Sequence, residues 1–335
     1  MKSLPRLLAA SLLLAVAACA DAGPPRTVEF VVPSGAGFQE VLDSLEAREL
    51  VGARTLFTLY ARMRGADRAI HAGRYALESD ASWGELVDAL TQGRIVHRSI
   101  TIPEGWTVRQ MVPRLAELTG HDEAVIDSLL LGDGLTEELG LPGPGLEGYL
   151  FPDTYLFAEG VSPRQVVSTM AGRYQEFWTP ERRALLEESG MSERELVTLA
   201  SIVQSEAGNE PEMPLIASVY RNRLERGWLL QADPTVLYAL GGPRDRLLFA
   251  AIDSVADHPY NTYTQPGLPP GPIGAPGAAA LQAVLAPAES DFMFFVAGPD
   301  GGHIFSETLA EHNRAVADYR RRQRAARAQR GDTQG

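Results

Sequence analysis

The chain's 335 residues are 45% hydrophobic and 22% charged, with a net charge of −13 and a single cysteine. That length allows about two or three folded domains with real cores, and that balance excludes a disordered polymer. The acidity argues against a nucleic-acid partner, and one cysteine excludes an internal disulfide or a multi-cysteine zinc site.

The N-terminus has the form of a secretion signal: Lys2 and Arg6 precede an uncharged, mostly apolar run from Leu7 to Ala20, closed by Asp21, Gly23, Pro24 and Pro25. The run is about 14 residues, short of the roughly 20 that span a bilayer as a helix. Val16-Ala17-Ala18-Cys19 resembles a lipobox, which would make Cys19 a lipidation site. An uncleaved signal anchor with an incidental cysteine, or cleavage and release, are the alternatives.

From Thr27 to about Leu118 the chain repeats itself. Val32-Pro33-Ser34-Gly35, followed by Phe38, Val41, Leu42 and Leu45, aligns with Ile102-Pro103-Glu104-Gly105, followed by Val108, Met111, Val112 and Leu115, at a constant offset of 70. Each copy reads as a short strand, a Pro/Gly turn and an amphipathic helix. A weaker third copy runs from Tyr75 through Ser82, a helix cap, to Leu90, with Gly93 as its stop. These small modules lack clustered acids or histidines, which suits binding or positioning more than catalysis. Chance similarity between two strand-turn-helix units is the alternative.

Next comes Leu146-Glu147-Gly148-Tyr149-Leu150-Phe151-Pro152-Asp153-Thr154-Tyr155, rich in aromatic and acidic residues. Aromatic faces beside carboxylates commonly grip sugar rings. A hydrophobic plug on which two domains dock fits the composition equally well.

The stretch from Ser192 to Tyr238 is where chemistry is expected. Ser192 with Glu195 forms a capping box, and Leu196, Leu199, Ala200 and Val203 then recur at helical spacing. Glu206 falls on the side of that apolar stripe. A carboxyl so placed is partly desolvated, which raises its pKa toward what a general acid needs near neutral pH. Many glutamates near helix ends are simply solvated, so spacing alone leaves both readings open. Leu215 to Leu224 reads as a second helix, with Ile216, Val219, Tyr220 and Leu224 inward and Arg221, Arg223 and Arg226 outward.

Beyond it lie Gln231-Ala232-Asp233-Pro234-Thr235 and a long Pro- and Gly-rich loop from Tyr260 to Ile273, suited to a groove wall. Ala278 to Leu285 reads as a short helix, Phe292 to Val296 as a buried strand, and Gly301 to Ser306 as a turn into another strand. Glu311 to Arg330 reads as a helix whose end carries six arginines, a basic solvated tail.

Taken together, LEGYLFPDTY, LASIVxxEA, VYRNRL, LQADPTV, YNTYxxxGLPPGPI and GGHxFSxTxxEHN resemble the endolytic murein transglycosylase, or YceG-like, family over nearly all of the chain after Thr27. The resemblance implies an α+β protein of the bacterial cell envelope, anchored at the inner membrane: a signal, lipoprotein or membrane-anchor segment over 1–23, a LysM-like module over 27–96, a second βα module over 97–145 leading into the catalytic part, a periplasmic YceG-like catalytic domain over 146–319 and a basic tail over 320–335. It implies that Glu206 is the catalytic acid. Gln204 departs from the family pattern, which has a second acid at that position.

The activity implied is cleavage of the β-1,4 bond between N-acetylmuramic acid and N-acetylglucosamine inside nascent peptidoglycan strands, leaving 1,6-anhydro ends and limiting strand length. Partners implied are peptidoglycan glycan strands, peptidoglycan synthases and membrane lipid. Glu147, Gln231, Asp233, Tyr260, Asn261, Thr262 and Tyr263 become candidates for holding the sugar or orienting Glu206. For Asp233 and Asn261 the alternative is turn chemistry, as a helix cap and an Asx turn.

Two other functions remain open: a water-using glycoside hydrolase with Asp233 as second carboxylate, and a non-catalytic peptidoglycan-binding protein. No phosphate loop, nucleophile elbow or metal-ligand cluster is present, and His303 and His312 have no third partner in the sequence, so no metal or other cofactor is expected.

Overall fold

The structure is a computed structural model that describes residues 24–33, 35–132, 134–244, 247–298 and 301–331. Cys19 and the apolar run before it lie outside the described residues. Among those described, no helix is long and apolar enough to cross a membrane. The fold is mixed α and β: among the described residues about half are helical and the strands form three two-stranded sheets. It divides into two compact units, one running to Arg98 and including Phe157–Gly160, the other holding Ser99–Leu156 and the chain from Val161 on.

The first unit is built from β1 (Thr27–Val32), α1 (Phe38–Glu46), α2 (Arg54–Met63), β2 (Gly73–Glu78) and α3 (Trp83–Gln92). β1 and β2 pair antiparallel from Thr27↔Glu78 to Val32↔Gly73. Alternation along β1 turns Phe30 and Val32 inward, where Phe30 stacks on its cross-strand partner Tyr75 with ring centroids 5.2 Å apart. Val41, Leu42 and Leu45 of α1, Phe57 and Ala61 of α2, and Leu86 and Leu90 of α3 complete the core. Ser82 caps α3 through a reciprocal bond with Glu85, and Gly93 ends it in the left-handed conformation.

The division between units falls within β3 (His97–Thr101) and its ladder partner β4 (Thr154–Ala158). Between them come α4 (Val108–Thr119), α5 (Glu123–Leu131) and α6 (Leu135–Glu138). The strand and helix of the offset repeat are therefore present, β3 and α4 standing where β1 and α1 stand one copy earlier. Residues 99–145 and, apart from 157–160, residues 146–319 share the second unit.

The aromatic side chains just after Leu146, Tyr149, Phe151 and Tyr155, are buried, and Tyr149 packs edge-on against Tyr174 at 5.3 Å. Gly148 has φ +85°, and a Cβ there would sit 2.5 Å from Pro272 Cβ, so only glycine lets the two segments approach.

The rest of the second unit is α7 (Pro163–Phe177), α8 (Pro180–Ser189), α9 (Glu193–Glu206), α10 (Met213–Glu225), α11 (Asp233–Ala239), α12 (Phe249–Asp253), α13 (Ala278–Leu285), β5 (Phe294–Ala297), β6 (His303–Ser306) and α14 (Leu309–Gly331). α9 is its centre. The Ser192–Glu195 capping box opens it, and every residue from Leu196 to Val203 is buried. A helix enclosed on all sides is a core helix, wider in its burial than the stripe read from spacing.

One expectation needs correction. The strand expected over Phe292 to Val296 runs instead from Phe294 to Ala297 and is half-buried, because among the described residues it pairs with β6 alone, in a hairpin. The helix expected over Glu311 to Arg330 is α14, which carries the arginines on to Gly331.

Candidate active site

Glu206 is the last residue of α9, where the chain turns extended at Ala207. Tyr220 of α10 donates its phenolic hydrogen to Glu206 Oε1 at 2.9 Å. Burial pushes the Glu206 carboxyl up to about 7, against the Tyr220 hydrogen bond; the negative charge of Asp233 adds to the rise and the Arg223 guanidinium opposes it. The position at a helix C-terminus, the negative end of its dipole, disfavours the anion further.

Arg223 overturns the outward placement read for it. It is buried, donating from Nε to Met293 O at 2.8 Å and from Nη1 to Leu230 O at 2.5 Å. Two carbonyls that would otherwise be orphaned draw the guanidinium in. Burial lowers its pKa, yet an arginine remains a cation at any working pH.

Thr262 latches the approach to α11 onto the long loop. Its carbonyl accepts from Gln231 N at 3.0 Å, and its Oγ1 accepts from Ala232 N at 3.0 Å and lies 2.8 Å from Thr235 Oγ1. Asn261 donates to Ile252 O and Val255 O at 3.0 Å each and accepts from Tyr263 N at 3.0 Å, an Asx turn. At 0% and 1% exposed, Asn261 and Thr262 are taken up by these bonds and hold the loop, for Asn261 through the turn chemistry that stood as its alternative.

Their neighbours are the ones presented. Tyr263 donates to Asp233 Oδ1 at 2.5 Å, and Asp233 is exposed at the first turn of α11. Gln231 is exposed with φ +49°, a left-handed backbone that is strained in a non-glycine residue.

A second carboxyl group stands at the other end of α11. Glu147 Oε1 accepts from Val108 N, at the start of α4, at 3.0 Å, and Oε2 accepts from Tyr238 OH at 3.3 Å. Burial raises its pKa to about 7 against those two hydrogen bonds. The rings of Tyr238 and Tyr260 lie 4.9 Å apart. From Asp233 to Tyr238 the helix advances about 7.5 Å, so α11 links the Glu206 group to the Glu147 group.

Spacing missed Tyr220 and Arg223 as site residues, although both follow Ile216 at helical intervals, by four and seven positions. Tyr238 carried no signal in the sequence. Gln204, where the family pattern has an acid, donates from Nε2 to Glu104 Oε2 at 3.0 Å and accepts from Gly277 N at 2.9 Å. Among the described residues no three His, Cys, Asp or Glu side chains gather as metal ligands.

Comparison with known proteins follows the same outline. An endolytic murein transglycosylase of Bacillus subtilis (strain 168) is 32% identical over 313 residues, covering 88% of this chain and 85% of the relative. One from Streptococcus pneumoniae (strain D39) is 30% identical over 329 residues, covering 89% of this chain but 59% of the longer relative. The crystal structure of a YceG-like protein from Listeria monocytogenes superposes with a TM-score of 0.60 at 29% identity, over 86% of this chain and 98% of that one. The profile of the YceG-like family matches residues 30–318, and with it the chain belongs to the YceG-like family.

Proposed function

We propose that the chain is an endolytic murein transglycosylase, a lyase that cuts the bond between N-acetylmuramic acid and N-acetylglucosamine within peptidoglycan strands. The observation that carries this reading is the Glu206 carboxyl, buried enough to titrate near 7 and held on one oxygen by Tyr220. At neutral pH roughly half of the molecules hold the proton that the leaving glycosidic oxygen needs.

The reaction needs one such group. Glu206 gives its proton to the glycosidic oxygen as the C1–O bond breaks, becoming a carboxylate. The muramic C6 hydroxyl then bonds to C1, and its proton passes to that carboxylate. The sugar ends as a 1,6-anhydro ring, no water is consumed, and Glu206 is again protonated. Arg223 and Tyr220 favour the intermediate carboxylate while burial and Asp233 oppose it, which keeps the group able to serve in both directions.

Gln231, Asp233 and Tyr263 would hold the sugar beside the broken bond, with Glu147 and Tyr260 contacting the strand further along α11. The β1–α1–α2–β2 order and antiparallel ladder of the first unit support a LysM-like, glycan-holding role. The N-terminal sequence supports attachment to the inner membrane through a lipidated Cys19 or a signal anchor, with the catalytic unit in the periplasm beside peptidoglycan synthases.

A water-using hydrolase is the second reading, favoured by one observation: the charge of Asp233 reaches Glu206, as a second carboxylate's would. Mass spectrometry of peptidoglycan digested by the chain separates the two. Anhydro-muropeptides support the transglycosylase; reducing ends support the hydrolase; no release of either sinks both.

A further inference from the structure

Helix α2 of the first unit is apolar on more of its surface than the unit covers. Phe57 and Ala61 enter the core, while Leu56, Leu59 and Met63, at helical spacing on a neighbouring stripe, are 61%, 58% and 79% exposed. Just beyond and beside them Arg62 and Arg68 are exposed, and among the described residues neither side chain has a hydrogen-bond or ion-pair partner. In a chain of net charge −13, an apolar stripe edged by unpaired arginines stands out.

Three side chains are too few for a stable protein interface, which needs about 800 Å² from each partner. They suit a helix lying in the headgroup boundary of a bilayer, where apolar side chains dip toward the acyl chains and arginines meet anionic headgroups. The chain's own sequence brings such a surface close. The apolar run ends at Ala20 and β1 of this same unit begins at Thr27, a tether of six residues whose Cα–Cα steps reach about 25 Å at most.

We propose that the Leu56–Leu59–Met63 face of α2 lies on the anionic membrane surface and orients the first unit there, a step that rests on the membrane attachment proposed above. The occupant is lipid; a glycan strand or a protein partner is the competing outcome.

The test uses the full chain on vesicles of phosphatidylethanolamine and phosphatidylglycerol carrying acyl-chain bromines, which quench nearby tryptophan. Leu59→Trp and Met63→Trp add emission at exposed positions and leave the core untouched; Asp80→Trp, in an exposed turn of the same unit, is the control. Flotation first selects the vesicle-bound protein. In that fraction the emission added at positions 59 and 63 should be lost and that added at 80 retained. Replacing phosphatidylglycerol by phosphatidylcholine should weaken the loss, since Arg62 and Arg68 then lack their counter-charge.

Floating protein with no quenching at 59 or 63 overturns the proposal and leaves attachment standing. Quenching absent from lipid alone, with a blue shift only on adding peptidoglycan strands, assigns the face to glycan and overturns it as well. Protein that does not float overturns both readings.

Discussion

Tyr220 and Glu206 meet across two helices, the phenol hydrogen bonded to Oε1 at 2.9 Å. The phenol is itself buried, and beside the Glu206 charge its own pKa rises well above the usual value, so it remains a donor. One carboxyl oxygen is thereby occupied and oriented, and the other is left for a substrate.

Tyr220→Phe should therefore shift the site without emptying it. The hydrogen bond lowers the Glu206 pKa, so its loss raises that pKa above about 7. Activity falling as pH climbs through the Glu206 pKa should then persist to higher pH, with maximal rate down roughly tenfold. A pH–rate profile that does not move would remove Tyr220 from the site. Because Glu147 titrates in the same range, the same profile on Glu147→Gln identifies the group responsible. Its falling limb should stay where it was.

Glu206→Gln should lose roughly 10² to 10⁴ fold in cleavage, since an amide neither gives nor takes the proton. It should also change stability in a pH-dependent way. The folded carboxyl titrates near 7 and the unfolded one near 4.5. The folded state therefore holds more protons in that interval, and wild-type stability falls as pH rises through it. Above pH 7 the variant should be more stable by about 2 kcal/mol, and near pH 4 the two should coincide. Urea unfolding at both pH values reads the difference.

Arg223→Met should destabilise by about 2 to 4 kcal/mol in urea, because Met293 O and Leu230 O lose their donors. With one opposing cation gone, the Glu206 pKa should also rise. A variant as stable as wild type would show that water replaces the guanidinium at both carbonyls.

Gln204→Glu restores the acid usual in the family. It places a carboxylate against Glu104, 3.0 Å from the present amide nitrogen. It should cost about 1 to 2 kcal/mol at pH 7, easing below pH 5 as one acid takes a proton, with little change in rate. A large gain in activity would mean that a second carboxylate at this position takes part in the chemistry.

What was legible in the sequence was what is decided locally. Ser192 with Glu195, and Ser82 followed by Gly93, mark helix ends through bonds within three or four residues. The position of Glu206 follows from the period of a single helix. Arg223 was misread because its acceptors include Met293 O, 70 residues away, and no helical pattern registers a distant carbonyl. Asn261 and Thr262 sit in a polar loop whose composition suggests solvent, yet their partners at Ile252, Val255 and Thr235 draw them under the surface. Tyr149 and Tyr155 had the makings of a sugar platform, and only the packing of other helices decides that they face inward.

The first unit takes back Phe157–Gly160 after the chain has already entered the second. Within it, Glu159 N donates to Val96 O at 3.2 Å and the Glu159 carboxylate pairs with Arg74 at 3.0 Å. A polypeptide emerging from a ribosome or a translocation pore in N-to-C order thus presents all the helices of this unit well before its closing piece. The unit is finished only after β3, α4, α5 and α6 have followed it out, so its completion is timed by the synthesis of its neighbour. Cutting the gene at the end of α3 would release a fragment lacking both Val96 and Glu159.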